Sequence, residues 1–132
     1  MKLESHQKNI KESLEVIQEC IEKGLEARQR TLAFSASVVS ADLLEVLLHK
    51  LNLIDTGFIV KHEWLKSKNK TAEKLPFDFP KKKEILALMA DIEERRNMLC
   101  YGSPQKVEVI QDVLEKLNTL RKLLKEVGVD EA

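Results

Sequence analysis

The sequence predicts an all-α protein, an up-and-down bundle of four main helices plus one short helix, in a single domain over residues 1–132. Three observations lead to that class. Apolar residues recur at intervals of three and four along most of the chain, the period of a helix with one buried face. The two-residue alternation of a half-buried strand survives nowhere. Glycine and proline, four and three in number, fall where the periodicity breaks and read as joins between helices. A chain of 132 residues has room for one core and not for two. It buries about two-thirds of its unfolded surface and needs no staples.

Residues 3–23 carry Ile10, Leu14, Ile17 and Ile21, followed by Leu25, an amphipathic spacing. Ser5 is suited to cap this helix, and Gly24 breaks or kinks it. The next helix runs from about Leu25 to Asn52, with Leu32, Val39, Leu43, Val46, Leu47 and Leu51 as its stripe. Its middle, Ala33 to Ala41, is small and nearly uncharged. Such a helix packs on more than one side, so it is the expected central helix. Ser35, Ser37 and Ser40 read as close-packing residues whose hydroxyls bond to the preceding turn. No histidine-plus-acid arrangement around them marks a nucleophile.

Asp55-Thr56-Gly57 is a turn and a cap for a short helix from Phe58 to about Lys66. Residues 66–80 lose periodicity and read as a long loop, basic over Lys66–Thr71, punctuated by Pro76 and Pro80 and anchored by Phe77 and Phe79. Pro80 suits the first turn of the following helix. That helix buries Ile85, Leu88, Met89, Ile92 and Leu99, with Met98 as a further candidate for the same side, and ends at Tyr101-Gly102. Ser103-Pro104 then reads as N-cap and first residue of the last helix. Its stripe is Val107, Ile110, Val113 or Leu114, Leu117, Leu120 and Leu124, closed by Gly128; Asp130-Glu131-Ala132 is expected to fray.

Lys+Arg and Asp+Glu both number 22, so net charge does not attract the whole molecule to nucleic acid or membrane. An anionic partner has to be met by a local patch. Cys20 and Cys100 lie far apart and form no CxxC pair, which suits reduced thiols and a cytoplasmic protein. No run approaches the length of a membrane-spanning helix, and the polar N-terminus has no apolar signal core, so no membrane association is expected. There is no GxxxxGK[ST] loop, GxGxxG or HExxH, and with only His6, His49 and His62 no metal or cofactor is expected. His49, beside Lys50 near a helix end, fits a cationic imidazole facing the helix dipole. His62, among Lys61, Glu63 and Trp64, fits a surface or ligand role.

The richest polar stretch runs from Glu94 to Pro104. Glu93, Asn97 and Tyr101 stand at i, i+4 and i+8 and share a helix face. Arg96 lies about 100° around the helix from Asn97. As an ordinary helix surface, Arg96 would answer Glu93 and Arg95 would answer Asp91, each pair worth about 0.2–0.5 kcal/mol. Cys100, at a helix C-terminus, lacks the dipole that activates a thiol and reads as a small hydrophobe.

The run Arg96-Asn97-Met98-Leu99-Cys100-Tyr101-Gly102, closing the fourth helix of a small bundle, resembles the signature of the HEPN superfamily. That signature is an arginine, usually a polar residue such as asparagine, and a short spacer to histidine. The resemblance extends over most of the chain in architecture: a long first helix pair, a small-residue second helix leading to Leu43–Leu48, and a helix after the motif. In specific residues it rests on the one motif. It implies a bundle that dimerises and sets two motifs across one cleft. Catalytic members are metal-independent ribonucleases in which arginine steadies a phosphate and histidine is the general acid–base. Carried over by position, Arg96 takes the arginine place and Asn97 the polar place, and the spacer lands on Tyr101. A phenol is a poor base at neutral pH, though it can donate to a phosphate oxygen.

The leading expectation is a homodimer that binds RNA or a nucleotide phosphate at Arg96, Asn97 and Tyr101, with its catalysis altered or lost. Arg95 and the basic Lys61–Lys70 segment, Lys61 and His62 foremost, would add phosphate contacts. A second expectation is a metal-independent endoribonuclease of toxin type with Tyr101 or His62 replacing the missing histidine. A third is an interaction module that partners a nucleotidyltransferase, as HEPN-like domains do in toxin–antitoxin pairs. The tyrosine nucleotidylated in some such pairs lies two places beyond the histidine. That place is Ser103 here, so that mechanism does not carry over.

Overall fold

The computed structural model describes residues 1–131 and, among them, contains helices and no strand. Four long helices make the bundle: α1 (Leu3–Lys23), α2 (Gln29–Lys50), α4 (Lys82–Tyr101) and α5 (Val107–Glu126). A short α3 (Lys68–Lys74) lies between α2 and α4. The central position expected for the second helix is observed: α2 packs on α1, α4 and α5. Its buried residues run around the whole circumference, from Leu32 and Ala36 to Leu43, Leu44, Leu47 and Leu48.

α2 is long and apolar enough, by length and composition, to cross a membrane. The sequence reading missed this because polar residues interrupt the run. Within the fold 83% of the apolar window is buried against the neighbouring helices. His49 departs from the cationic imidazole expected of it. Burial pushes its pKa down, and its ring stands 5.6 Å from that of His6.

Several boundaries move. α1 begins at Leu3 with Lys2 in the capping position, so Ser5 lies inside the first turn. Gly24, at φ 108°, ends α1 in a conformation that a Cβ disfavours. The turn at Asp55 is present, with the Gly57 N–H donating to Asp55 Oδ1 at 2.8 Å, but no helix follows it directly. The helix expected over 58–66 contracts to a single 3-10 turn, His62–Lys66. The loop expected over 66–80 instead holds α3, capped by Ser67, whose Oγ accepts from Lys70 N–H at 3.3 Å. α3 buries no residue, so no apolar period announced it. Phe77 packs edge-on against Phe58 at 5.6 Å and Phe79 is buried, anchoring this segment as expected.

Pro80 precedes α4 instead of joining its first turn, because Lys81 takes the capping position at φ 60°. α5 starts at Val107, later than Ser103-Pro104 suggested. Gln29 explains the delay: its Oε1 accepts from Gln105 N–H at 2.8 Å and its Nε2 donates to the Gln105 carbonyl at 3.4 Å. That amide clamp holds the linker against the start of α2. Beyond α5 the chain does not fray at once. Val129 is buried, and Glu131 accepts two bonds from Arg121 at 2.7 and 2.8 Å. Ala132, part of the tail expected to fray, lies outside the described residues.

Candidate functional site

Glu93 is the residue around which the polar residues of α4 assemble. It lies four positions after Met89, on the side of α4 that buries Ile85, Met89, Ile92 and Leu99, and is itself 2% exposed. A carboxylate in a core position has to be paired and hydrogen-bonded. Three elements supply the partners. Ser37 of α2 donates its hydroxyl to Glu93 Oε2 at 2.7 Å, and His62 Nδ1 lies 3.0 Å from the same oxygen. Arg96 Nη1 donates to Oε1 at 3.2 Å. Burial pushes the Glu93 carboxyl up. The hydrogen bonds from His62 and Ser37 and the charges of His62 and Arg96 outweigh it, holding the group below the usual glutamate value.

The histidine and the serine do not form a nucleophilic pair. Ser37 Oγ lies 3.0 Å from His62 Nδ1, the same nitrogen that faces the carboxylate. With the serine proton committed to Glu93, Nδ1–H is shared between Ser37 Oγ and Glu93 Oε2. That assigns the tautomer from the network and leaves Nε2 as the ring nitrogen without a protein partner. The His62 side chain is 32% exposed. A serine activated by histidine would need the opposite ring nitrogen. The packing role expected for Ser37 is nonetheless corrected, since only Ser40 bonds back to its own helix, to Ala36 O at 2.7 Å.

Arg96 continues the network to the surface. Besides Glu93, its Nη1 reaches Asn97 Oδ1 at 3.4 Å. Its guanidinium carbon lies 5.7 Å from the centre of the Phe34 ring and 5.8 Å from that of Tyr101. Both rings are largely exposed, at 51% and 73%. A cation between aromatic faces is held by their quadrupoles. A groove of about 680 Å³ opens beside these rings and is bordered by Arg28 and Arg30. A smaller hollow of about 330 Å³ is bordered by Glu93, Asn97, Lys66 and Lys68.

The fold therefore brings Arg96, Asn97, Tyr101 and His62 into one neighbourhood. Lys61 is exposed immediately before the 3-10 turn. Arg95 points the other way. Its Nε pairs with Asp112 of α5, and the expected pair with Asp91 becomes a bond to the Asp91 carbonyl at 3.3 Å. The Asp91 carboxylate is met by Lys116 at 3.6 Å. Cys100 is half-buried, and burial pushes its thiol pKa up, in line with the hydrophobic role expected. The Arg96–Glu93 pair expected from the i,i+3 spacing is present, whereas Phe34, the contact from Ser37 and the burial of Glu93 were missed by the sequence reading. The available signal was Glu93 interrupting an apolar stripe, four residues after Met89.

Gly102 ends α4 directly behind Tyr101. Its N–H donates to Met98 O at 3.0 Å, and a Cβ there would stand 2.6 Å from that same carbonyl oxygen. Gly102→Ala therefore has to displace the helix end, at a cost of about 1–3 kcal/mol. Urea unfolding measures this, and an unchanged midpoint would show that the carbonyl yields freely. Compared with protein-family models, curated proteins and solved structures, the chain matches none.

Proposed function

We propose that this protein is an HEPN-like homodimer whose Arg96 and His62 bind the phosphodiester backbone of RNA. The observation that carries the reading is that these two side chains take opposite oxygens of the buried Glu93 carboxylate, beneath two exposed aromatic rings. Glu93 fixes both groups without entropic loss when the ligand arrives. Arg96 Nη2 and His62 Nε2, which are not the atoms held by Glu93, are the ones left to meet the ligand, and charge-assisted bonds to phosphate oxygens are the strong class. Phe34 and Tyr101 offer faces on which unpaired bases stack, the usual mode for single-stranded RNA. Arg28 and Arg30 extend the basic surface along the adjoining groove. The resemblance of the motif to the HEPN signature adds the dimer, in which two such sites share one cleft.

The test is fluorescence anisotropy with a labelled single-stranded RNA, alongside light scattering for mass. The wild type is expected to bind as a dimer, and Arg96→Ala to bind at least tenfold more weakly, the loss of one charged hydrogen-bonding group. Equal affinities, or no binding by either, defeat the reading.

A second reading has its own observation. An imidazole whose Nδ1–H is held by a carboxylate presents Nε2 as a general base, and His62 is so held by Glu93. On this reading His62 supplies, from outside the motif, the group that Tyr101 does not, and the protein is a metal-independent endoribonuclease.

A further inference from the structure

Further along α2 lies a second buried polar cluster that the proposed RNA site does not use. Asp42, Glu45 and His49 stand at i, i+3 and i+7 on one face of the helix, and His6 of α1 projects against them. His6, Asp42 and Glu45 are 1%, 6% and 4% exposed, and one oxygen or nitrogen of each lies within 4.8 Å of the others. His6 Nδ1 is 2.7 Å from Asp42 Oδ1, a short hydrogen bond that puts the proton on Nδ1. The remaining nitrogen, Nε2, is buried without a partner and faces Glu45 Oε1 at 3.9 Å. Beside it the His49 ring stands 5.6 Å from that of His6, and His49 Nε2 is also buried without a partner.

Among the described residues three buried side-chain atoms have no hydrogen-bond partner, and two of them are these imidazole nitrogens. A buried orphan of this kind demands an explanation. Asp42 holds His6 through Nδ1, and Nε2 looks toward the Glu45 carboxylate without bonding to it. The 3.9 Å gap is too long for a hydrogen bond. A cation about 2.0–2.2 Å from each atom would span it.

We propose that His6 Nε2 and the Glu45 carboxylate bind a divalent first-row transition ion of the zinc class, with Asp42 orienting His6 from behind and His49, which stands outside the 4.8 Å cluster, turning its Nε2 in as the third ligand. Two imidazoles and a carboxylate suit zinc and its neighbours and do not suit magnesium or calcium, which take oxygen donors. A carboxylate on the far nitrogen of a metal-bound histidine is the usual supporting contact. The ion would tie α1 to α2. It would also tie in the segment before the 3-10 turn, because Val60 N–H already donates to Glu45 Oε1 at 3.4 Å. Entry requires the first residues to lift, where the Met1 ammonium bonds to the Thr56 carbonyl.

The full chain, stripped of metal by chelation and dialysis, is titrated with Co²⁺ by visible absorption and with Zn²⁺ by calorimetry, with Mg²⁺ as control. One Zn²⁺ per chain should bind, displace Co²⁺ and raise the melting temperature, while Mg²⁺ does neither. Glu45→Gln and His49→Gln should abolish binding, and Asp42→Asn should weaken it about 10- to 100-fold. His49 is the most exposed of the four, so His49→Gln remains informative if the others fail to fold. The proposal is overturned if the wild type binds neither ion. It is overturned equally if His49→Gln and Glu45→Gln bind as the wild type does, or if His62→Ala is the variant that loses binding.

Discussion

Replacing Glu93 with alanine is expected to destabilise the fold by about 3–5 kcal/mol, the cost of stripping one partner from a buried charge network. Nothing else in the site compensates. Arg96, with 15% of its side chain exposed, loses its acidic partner, and its Nε is already buried without one. Ser37 loses its acceptor at 2.7 Å and His62 loses its anchor at 3.0 Å. Chemical denaturation monitored by circular dichroism measures the effect. A midpoint within experimental error of the wild type would mean that Arg96 finds another partner and that the carboxylate is not the centre of the site.

Glu93→Gln keeps the shape and removes the charge, and it ties the effect to pH. Because the folded-state pKa of Glu93 is depressed, its contribution is fully present above the ordinary glutamate value of 4.5 and is lost as pH falls through the lower folded value. Asp42 and Glu45 behave oppositely. Burial raises their folded pKa values, so their contribution is fully present below their ordinary values of 3.8 and 4.5 and is lost as pH rises from there through the higher folded values. The wild-type curve superimposes both trends, and the difference from Glu93→Gln isolates the first. That difference should be constant above pH 4.5 and shrink below it.

His62→Ala carries the second large effect. If the carboxylate-held imidazole is the general base of an endoribonuclease, single-turnover cleavage of a structured RNA in magnesium-free buffer falls by about 10²–10⁴-fold. Tyr101→Phe keeps the ring that faces Arg96 and loses only the hydroxyl, so it should cost far less. The reverse order would assign the base role to Tyr101. If the wild type does not cleave, the catalytic reading falls, and the binding reading stands on the anisotropy of Arg96→Ala alone.

Much of the architecture was legible because helix periodicity is local. The stripe Ile110, Val113, Leu117, Leu120 and Leu124 needs no knowledge of what it packs on, and the small uncharged middle of α2 announced burial on several sides. The errors cluster where distant groups decide. The start of α5 was misplaced because Gln29 clamps Gln105 from 76 residues away. α3 was missed because a helix that buries nothing leaves no apolar period.

The candidate site divides in the same way. Arg96, Asn97 and Tyr101 could be singled out from one turn of sequence. Their setting could not, because Ser37 meets Glu93 across 56 positions and His62 meets it across 31. The cluster of His6 and Asp42, 36 residues apart, was equally invisible. By itself the sequence determined the all-α class, the order of the long helices and the motif at the end of α4, since each follows from neighbours within a few turns. Tertiary structure alone decided which polar groups became buried partners. A buried charge is tolerated only beside its counterpart, and packing brought those counterparts from other helices.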